Sequence, residues 1–298
     1  MVVAANSALQ DMERKIDELP LLPQVLVRIL QLDPNGDNYF EEFGKLTKED
    51  PAFAVRVIAL ANSSASSPVA PVVSIREALT RMGVGTIRSL VASLAVQRVF
   101  LPTKPNEISL WQHSVFTAFA AATLAEVLPD LKVHPAESYL IGLLHDIGRF
   151  VMFEHAAPEL LAVDESEWET PEQLIEADVD VYKFTHSELG YRACLHWQLP
   201  ESIAEAIRLH HTPVKDKIVP GSMDAQQFCL QVADRVALSL LQRDDFKELS
   251  EADRVQRIED TCLITEEFRN ILPPAELVKH LDQLYVDGHG LLEGLGFN

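Results

Sequence analysis

The chain has 298 residues, 47% of them apolar and 23% charged, which is ordinary globular composition and excludes the disordered, fibrous and membrane-embedded classes. Its 25 basic and 45 acidic residues give a formal net charge of -20, which repels a DNA or RNA backbone and excludes nucleic acid as a partner. The same field repels phosphate substrates, so phosphate chemistry here requires a bound cation to reverse it locally.

The opening MVVAANSALQDMERK has no basic stretch leading into an apolar one, and no run of roughly 18 uncharged apolar residues occurs, so a cytoplasmic protein without a membrane span is expected. Helical periodicity dominates, alternating strand patterns are missing, and the fold class is expected to be all-α. In PQVLVRILQL, Val25, Leu26, Ile29, Leu30 and Leu32 fall at helical spacing. DPAFAVRVIALANSS follows, with Asp50 as cap, Pro51 at the first helical position, and Phe53, Val57 and Ala61 on one face. SIREALTRM then opens on Ser74 with Glu77 at capping-box spacing, and Gly83 and Gly85 break the pattern before TIRSLVASLAVQRVFL. LPTKPNE, with two prolines and an asparagine, is a boundary.

After Leu110 the helices become Ala-rich and carry histidines, interrupted by DESEWETPEQLIEADVD, whose eight acidic and no basic residues predict a solvated excursion with a short helix. From Asp245 the chain turns polar, contains Pro273 and Pro274, and ends in HGLLEGLGFN, which predicts a helical appendage with a loose terminus. The expected division is a helical lobe over 1–105, a second lobe over 106–244 and the appendage over 245–298. Cys194, Cys229 and Cys262 lack the spacing of a zinc knuckle and are expected to be buried free thiols.

Local chemistry concentrates in LIGLLHDIGRF, where His145 and Asp146 end an apolar helix and can flank one cation. They are accompanied by His113 in LWQHSVF, His186 in FTHSELG, His210 and His211 in IRLHHTP, and Asp234 in QVADRVAL. Imidazole and carboxylate donors suit iron, manganese, zinc or nickel, and an aspartate can bridge two ions. Asp234 shares an apolar face with Leu230, Ala237, Leu238 and Leu241, so its carboxylate requires a cation or a histidine as partner. His210 shares a face with Ile203, Ala206 and Ile207, as either a ligand or a hydrogen-bonded core residue. Thr185 and Glu188 form a capping-box spacing that puts His186 in the first turn of a helix, facing an interhelical pocket or solvent.

The motif order resembles the HDOD pattern, the HD-related output domain. It runs from ELPLLPQVLVRILQL through KEDPAFAVRVIALANSS and SIREALTRMGVGTIRSLV to LWQHS, LLHDIGRF, HSELGYRACLHWQLPESIAEAI and HH, roughly residues 15 to 215. The resemblance implies a two-lobed all-α module of bacterial signal transduction with an HD-like helical core, acting through signalling proteins, with homo-oligomers among its options. By analogy with HD and HD-GYP hydrolases, His113, His145, Asp146 and Asp234 would form a basic metal set. His186, His210 and His211 would complete a second position, for one or two divalent ions. The alternative implied is a metal-dependent phosphohydrolase acting on a nucleotide or cyclic dinucleotide. Two departures bear on it: HH runs into TPVKDKIVPG rather than an acidic segment ending in Gly-Tyr-Pro, and Arg149 stands where Lys commonly follows HDIG. Arg149 keeps the charge of a substrate-binding group but not its geometry.

Overall fold

The computed structural model describes residues 72–164, 171–214, 217–241, 248–263, 265–297 and 38–49, together with 14–16, 18, 27–29, 32, 36, 54–55, 57–58 and 61–62. Among them every long element is a helix and no strand occurs, so the fold is all-α. Ile29, Val57 and Ala61 are buried as their periodicity predicts. Val25, Leu26, Leu30, Asp50, Pro51 and Phe53 lie outside the described residues.

Helix α1 (Tyr39–Glu49) packs on α2 (Ile75–Val99). The α2 start follows the predicted capping box: the Ser74 hydroxyl accepts from the Glu77 N–H, and Glu77 reaches back to the Val73 N–H. Gly83 kinks the helix with φ of 78°, a left-handed value that glycine adopts without a Cβ penalty, whereas Gly85 remains helical.

The LPTKPNE boundary becomes the start of α3 (Pro105–Val127), where the Glu107 carboxylate accepts from the Thr103 and Lys104 backbone N–H groups. Trp111, Val115, Phe116, Ala118, Ala121 and Leu124 leave α3 apolar all round, as a central helix must be. Around it pack α4 (Pro135–Leu144), α9 (Met223–Leu241) and α12 (Pro274–Leu295). Gly142 lets α4 approach closely, because a Cβ there would meet the Ala118 Cα and Thr117 carbonyl oxygen at 2.8 Å. The remaining helices are α5 (Ile147–Asp164), α6 (Pro171–Tyr182), α7 (His186–His196), α8 (Glu201–Arg208), α10 (Glu251–Thr261) and α11 (Glu266–Ile271).

The expected loose terminus is docked instead. Leu277, Leu281, Leu284, Leu291 and Leu292 are buried, Gly296 closes α12 in a left-handed cap, and the Phe297 ring lies 5.5 Å from Trp111. Gln97 of α2 donates to the Leu295 carbonyl at 2.9 Å. Gly288, just before that segment, serves packing by giving the Phe116 ring room, since a Cβ there would stand 3.0 Å from it.

All three cysteines are buried and free, and burial pushes their thiols up, to about 12 for Cys229 and Cys262. Among the described residues no helix is long and apolar enough to cross a membrane.

Two glycine substitutions separate packing from propensity. Gly142→Ala sets a methyl against unyielding backbone and should cost about 1–3 kcal/mol. Gly44→Ala within α1 meets nothing within 4 Å and should be neutral or stabilise by up to about 1 kcal/mol. Denaturant melts of the two variants measure both.

Candidate metal centre

Three helices and two interhelical turns deliver the seven predicted residues to one place. His113 projects from α3 and Asp234 from α9, two of the most closely packed helices in the protein. His145 caps the end of α4, as expected, and Asp146 follows it in the turn to α5, with the Asp146 carbonyl accepting from the Arg149 N–H at 2.8 Å. His186 is the first residue of α7, as the capping spacing predicts, and is fully buried, which decides for the pocket over solvent. The Thr185 hydroxyl accepts from the Glu188 N–H, while the Glu188 carboxylate pairs with Arg192 instead of closing the box. His210 and His211 lie in the turn after α8, which ends at Arg208, so the face shared with Ile203 and Ile207 continues one turn less far than its periodicity suggests.

The close approach of α5 to α7 depends on Gly148. A Cβ at this position would stand 2.0 Å from the His186 carbonyl oxygen and 2.9 Å from the Gly190 nitrogen. With hydrogen there instead, His186 Nε2 comes within 3.2 Å of Asp146 Oδ1.

Asp146 divides the cluster in two. Its Oδ1 faces His186 and, at 3.9 Å, His210 Nε2, with His211 Nε2 3.1 Å from His186 Nε2. Its Oδ2 faces His145 Nε2 at 3.5 Å and His113 Nε2 at 3.8 Å. Asp234 Oδ1 adds to the second group, 3.1 Å from His113 Nε2 and 4.0 Å from His145 Nε2. The partner that Asp234 requires is therefore His113. Both groups, Asp146/His186/His210/His211 and His113/His145/Asp146, are compact enough to hold an ion.

The donor chemistry fits a cation. His145 Nδ1 lies 2.8 Å from the Gly142 carbonyl and His210 Nδ1 2.5 Å from the Ile207 carbonyl, so each carries its proton on Nδ1 and presents a bare Nε2 lone pair inward. His186 Nδ1 donates to Asp178 Oδ2 at 2.5 Å, fixing the same tautomer. Nε2 atoms of neighbouring rings consequently stand 3.1–3.2 Å apart, a spacing that lone pairs tolerate only around shared protons or a metal ion.

Asp178 does not stand out in the sequence and falls in the stretch expected to be solvated. It is fully buried, and its Oδ2 also accepts from the His186 backbone N–H at 2.9 Å. Its signal was present in the spacing Leu174, Asp178, Tyr182, one side of α6 that is buried throughout.

Electrostatics sort the imidazoles. Burial opposes charge on His186, but Asp178 and Asp146 outweigh it and lift the group to about 9. Burial likewise opposes His113, and Asp234 and Asp146 outweigh it, so His113 is raised. His210 is driven down to about 3 by burial and by His186 and His145. His211 falls through burial and its histidine neighbours, and His145 through burial and His113. Burial pushes the Asp146 carboxyl up, but His145, His186 and Arg149 prevail and hold it well below the usual carboxylate range. Asp234 is lowered in the same way by His113. Each half of the cluster thus contains one histidine whose proton affinity is raised, His113 in one and His186 in the other.

The cluster forms the floor of a cavity of about 470 Å³. Arg149, buried beside Asp146, lines it with His113, His145, His211 and Asp234. A volume of this size admits a small-molecule ligand.

Known proteins share this architecture. The model of the HDOD domain matches residues 19–213. An uncharacterised protein of Treponema pallidum (strain Nichols) is 30% identical over 222 residues, which cover 71% of this chain and 42% of that relative, so the match spans less than half of the relative's length. An HDOD domain protein of unknown function from Geobacter sulfurreducens superposes with a TM-score of 0.73 at 24% identity, over 98% of both chains. A protein provisionally assigned to signal transduction from Marinobacter aquaeolei VT8 gives 0.74 at 19% identity, over 99% of this chain and 66% of that one. At these identities the likeness of the two solved structures is one of fold.

Metal binding should compete with protons. An ion needs the His186 Nε2 lone pair, which is protonated below about 9, so affinity for Mn²⁺ should climb as pH rises towards that value and binding should release protons. Titration calorimetry in buffers of different ionisation enthalpy measures both. Asp178→Asn removes the carboxylate that orients His186 and should weaken Mn²⁺ binding by about 10–100-fold while shifting its pH dependence downward. Unchanged affinity in that variant would show that His186 takes no part.

Proposed function

Starting from the fact that this chain belongs to the HDOD domain family, we propose that it is a signal-transduction module built on a two-metal centre that acts on a phosphate ester. One observation carries this reading: Asp146 directs its two carboxylate oxygens to two separate groups of histidines. In it, His113, His145, Asp146 and Asp234 hold one ion, and Asp146, His186, His210 and His211 hold the other. Iron, manganese, zinc and nickel all suit these donors. Ions bound there would supply a nucleophilic water near neutral pH and offset charge on the phosphoryl oxygens.

The protein's own groups do the positioning. Asp178 and the Gly142 and Ile207 carbonyls hold three imidazoles in the metal-binding tautomer, and Arg149 presents a guanidinium on the cavity side of Asp146. The apolar cavity walls limit water around the reacting phosphate. Solved structures of similar fold include a provisionally assigned metal-dependent phosphohydrolase from Shewanella amazonensis SB2B, which supports the reading by analogy of fold.

A second reading is regulation through protein partners without turnover, with other signalling proteins of the cytoplasm as those partners. It is favoured by the cavity itself: among its described lining residues, Arg149 is the one Lys or Arg, a sparse complement for a nucleotide polyanion.

The readings separate on the metal-loaded protein tested against phosphomonoesters, phosphodiesters and nucleotides. Turnover on the order of 1 per second or faster is expected. Asp146→Ala should lose both ions and all turnover, because the carboxylate serves the cations, with circular dichroism checking that the variant is folded. Two bound ions with no turnover on any ester would leave the regulatory reading in its place.

A further inference from the structure

The cavity above the cluster has the wrong lining for a nucleotide and the right one for something simpler. Leu110 of α3, Phe153 of α5, Leu174 of α6, and Leu238 and Leu241 of α9 supply its walls. Among the described lining residues, polar side chains beyond the floor are confined to one edge, where Asn106, Ser109 and Gln112 belong to the first turns of α3. A nucleobase and ribose carry donors and acceptors on every edge, and each one buried without a partner costs affinity. An apolar body instead gains in proportion to the area it removes from water.

Charge sets the head group. Two divalent ions and Arg149 against Asp146, Asp178 and Asp234 leave a surplus of two positive charges. A phosphate monoester brings about two negative charges at neutral pH and a diester only one. A volume of about 470 Å³ also lies in the lower part of the range for small-molecule pockets, roughly 300–1,000 Å³, enough for one compact body.

We infer that this cavity binds a phosphate monoester of an apolar alcohol, aryl or alkyl, with the phosphate on the His/Asp floor beside Arg149 and the body against the five apolar side chains. The inference rests on the metal-centre reading, because the floor carboxylates repel a dianion until cations are present. It does not require turnover.

Calorimetry on the Mn²⁺-loaded chain tests it with three non-hydrolysable probes: naphthylphosphonate, methylphosphonate and an adenosine phosphonate. Metal content is measured first. Naphthylphosphonate should bind about tenfold tighter than either other probe, or better. Leu238→Gln, at a partly buried wall position, should erase that advantage and leave methylphosphonate binding as it was. Leu241→Gln, also partly buried, repeats the test independently. Preference for the adenosine probe, equal weakening of both other probes by the Gln variants, or equal binding to metal-free protein overturns the inference. Two ions loaded with no phosphonate bound overturns it while the metal centre stands. Failure to load any ion ends the metal-centre reading and this inference together.

Discussion

Helices α5 and α7 meet through bare backbone, and the geometry of the centre follows from that contact. At Gly148 any side chain would occupy the space of the His186 carbonyl, so the two helix N-termini can touch only where one residue lacks a Cβ. Asp146 stands two residues before that contact and His186 stands at it, which is why two groups 40 positions apart in the chain face each other at 3.2 Å. Gly190 completes the close fit, since a Cβ there would press on Ile207 and Ile147 side chains at 3.0 and 3.2 Å. Widening the gap by one methyl group would separate Asp146 Oδ1 from its histidines while leaving Oδ2 with His113 and His145. The shared carboxylate would then serve one half of the cluster.

A centre this buried must also be electrically balanced. Asp146, Asp178 and Asp234 lie together with Arg149 and with His113 and His186, the two imidazoles whose proton affinity is raised. His113 faces Asp234, and His186 faces both Asp146 and Asp178, so each buried carboxylate has a partner that can share a proton with it. Divalent ions bound among these groups would leave the floor positive. In a chain with net charge -20, that local reversal is what would let an anion approach.

Most of this was legible in the sequence because it is carried by short-range pattern. The all-α class, the Ser74 and Thr185 caps, the burial of Val57 and Ala61, and the need of Asp234 for a partner all follow from spacing along one helix. What was not legible depends on what lies opposite. Asp178 reads as solvated because its neighbours in sequence are acidic, yet its neighbours in space are Leu174, Tyr182 and His186. The end HGLLEGLGFN reads as loose because its partners are distant in sequence: Trp111 against Phe297, and Gln97 on the Leu295 carbonyl, 198 positions away. His210 reads as sharing a helical face that ends two residues before it, and helix ends are where periodicity is least informative.

The family match over 19–213 stops short of part of the site. Asp234, the partner of His113, and the wall residues Leu238 and Leu241 all belong to α9, beyond that match. Farther on, α12 packs against α3, the helix that carries His113, through the contacts of Phe116 with Tyr285 and His289. Phe297 reaches Trp111, two residues before His113 on the same helix. The C-terminal helices therefore supply one candidate ligand directly and fix the position of a second by packing. A centre of this kind can be complete in one HDOD chain and incomplete in another whose matched region is equally well formed, because what decides it lies in the segment that follows.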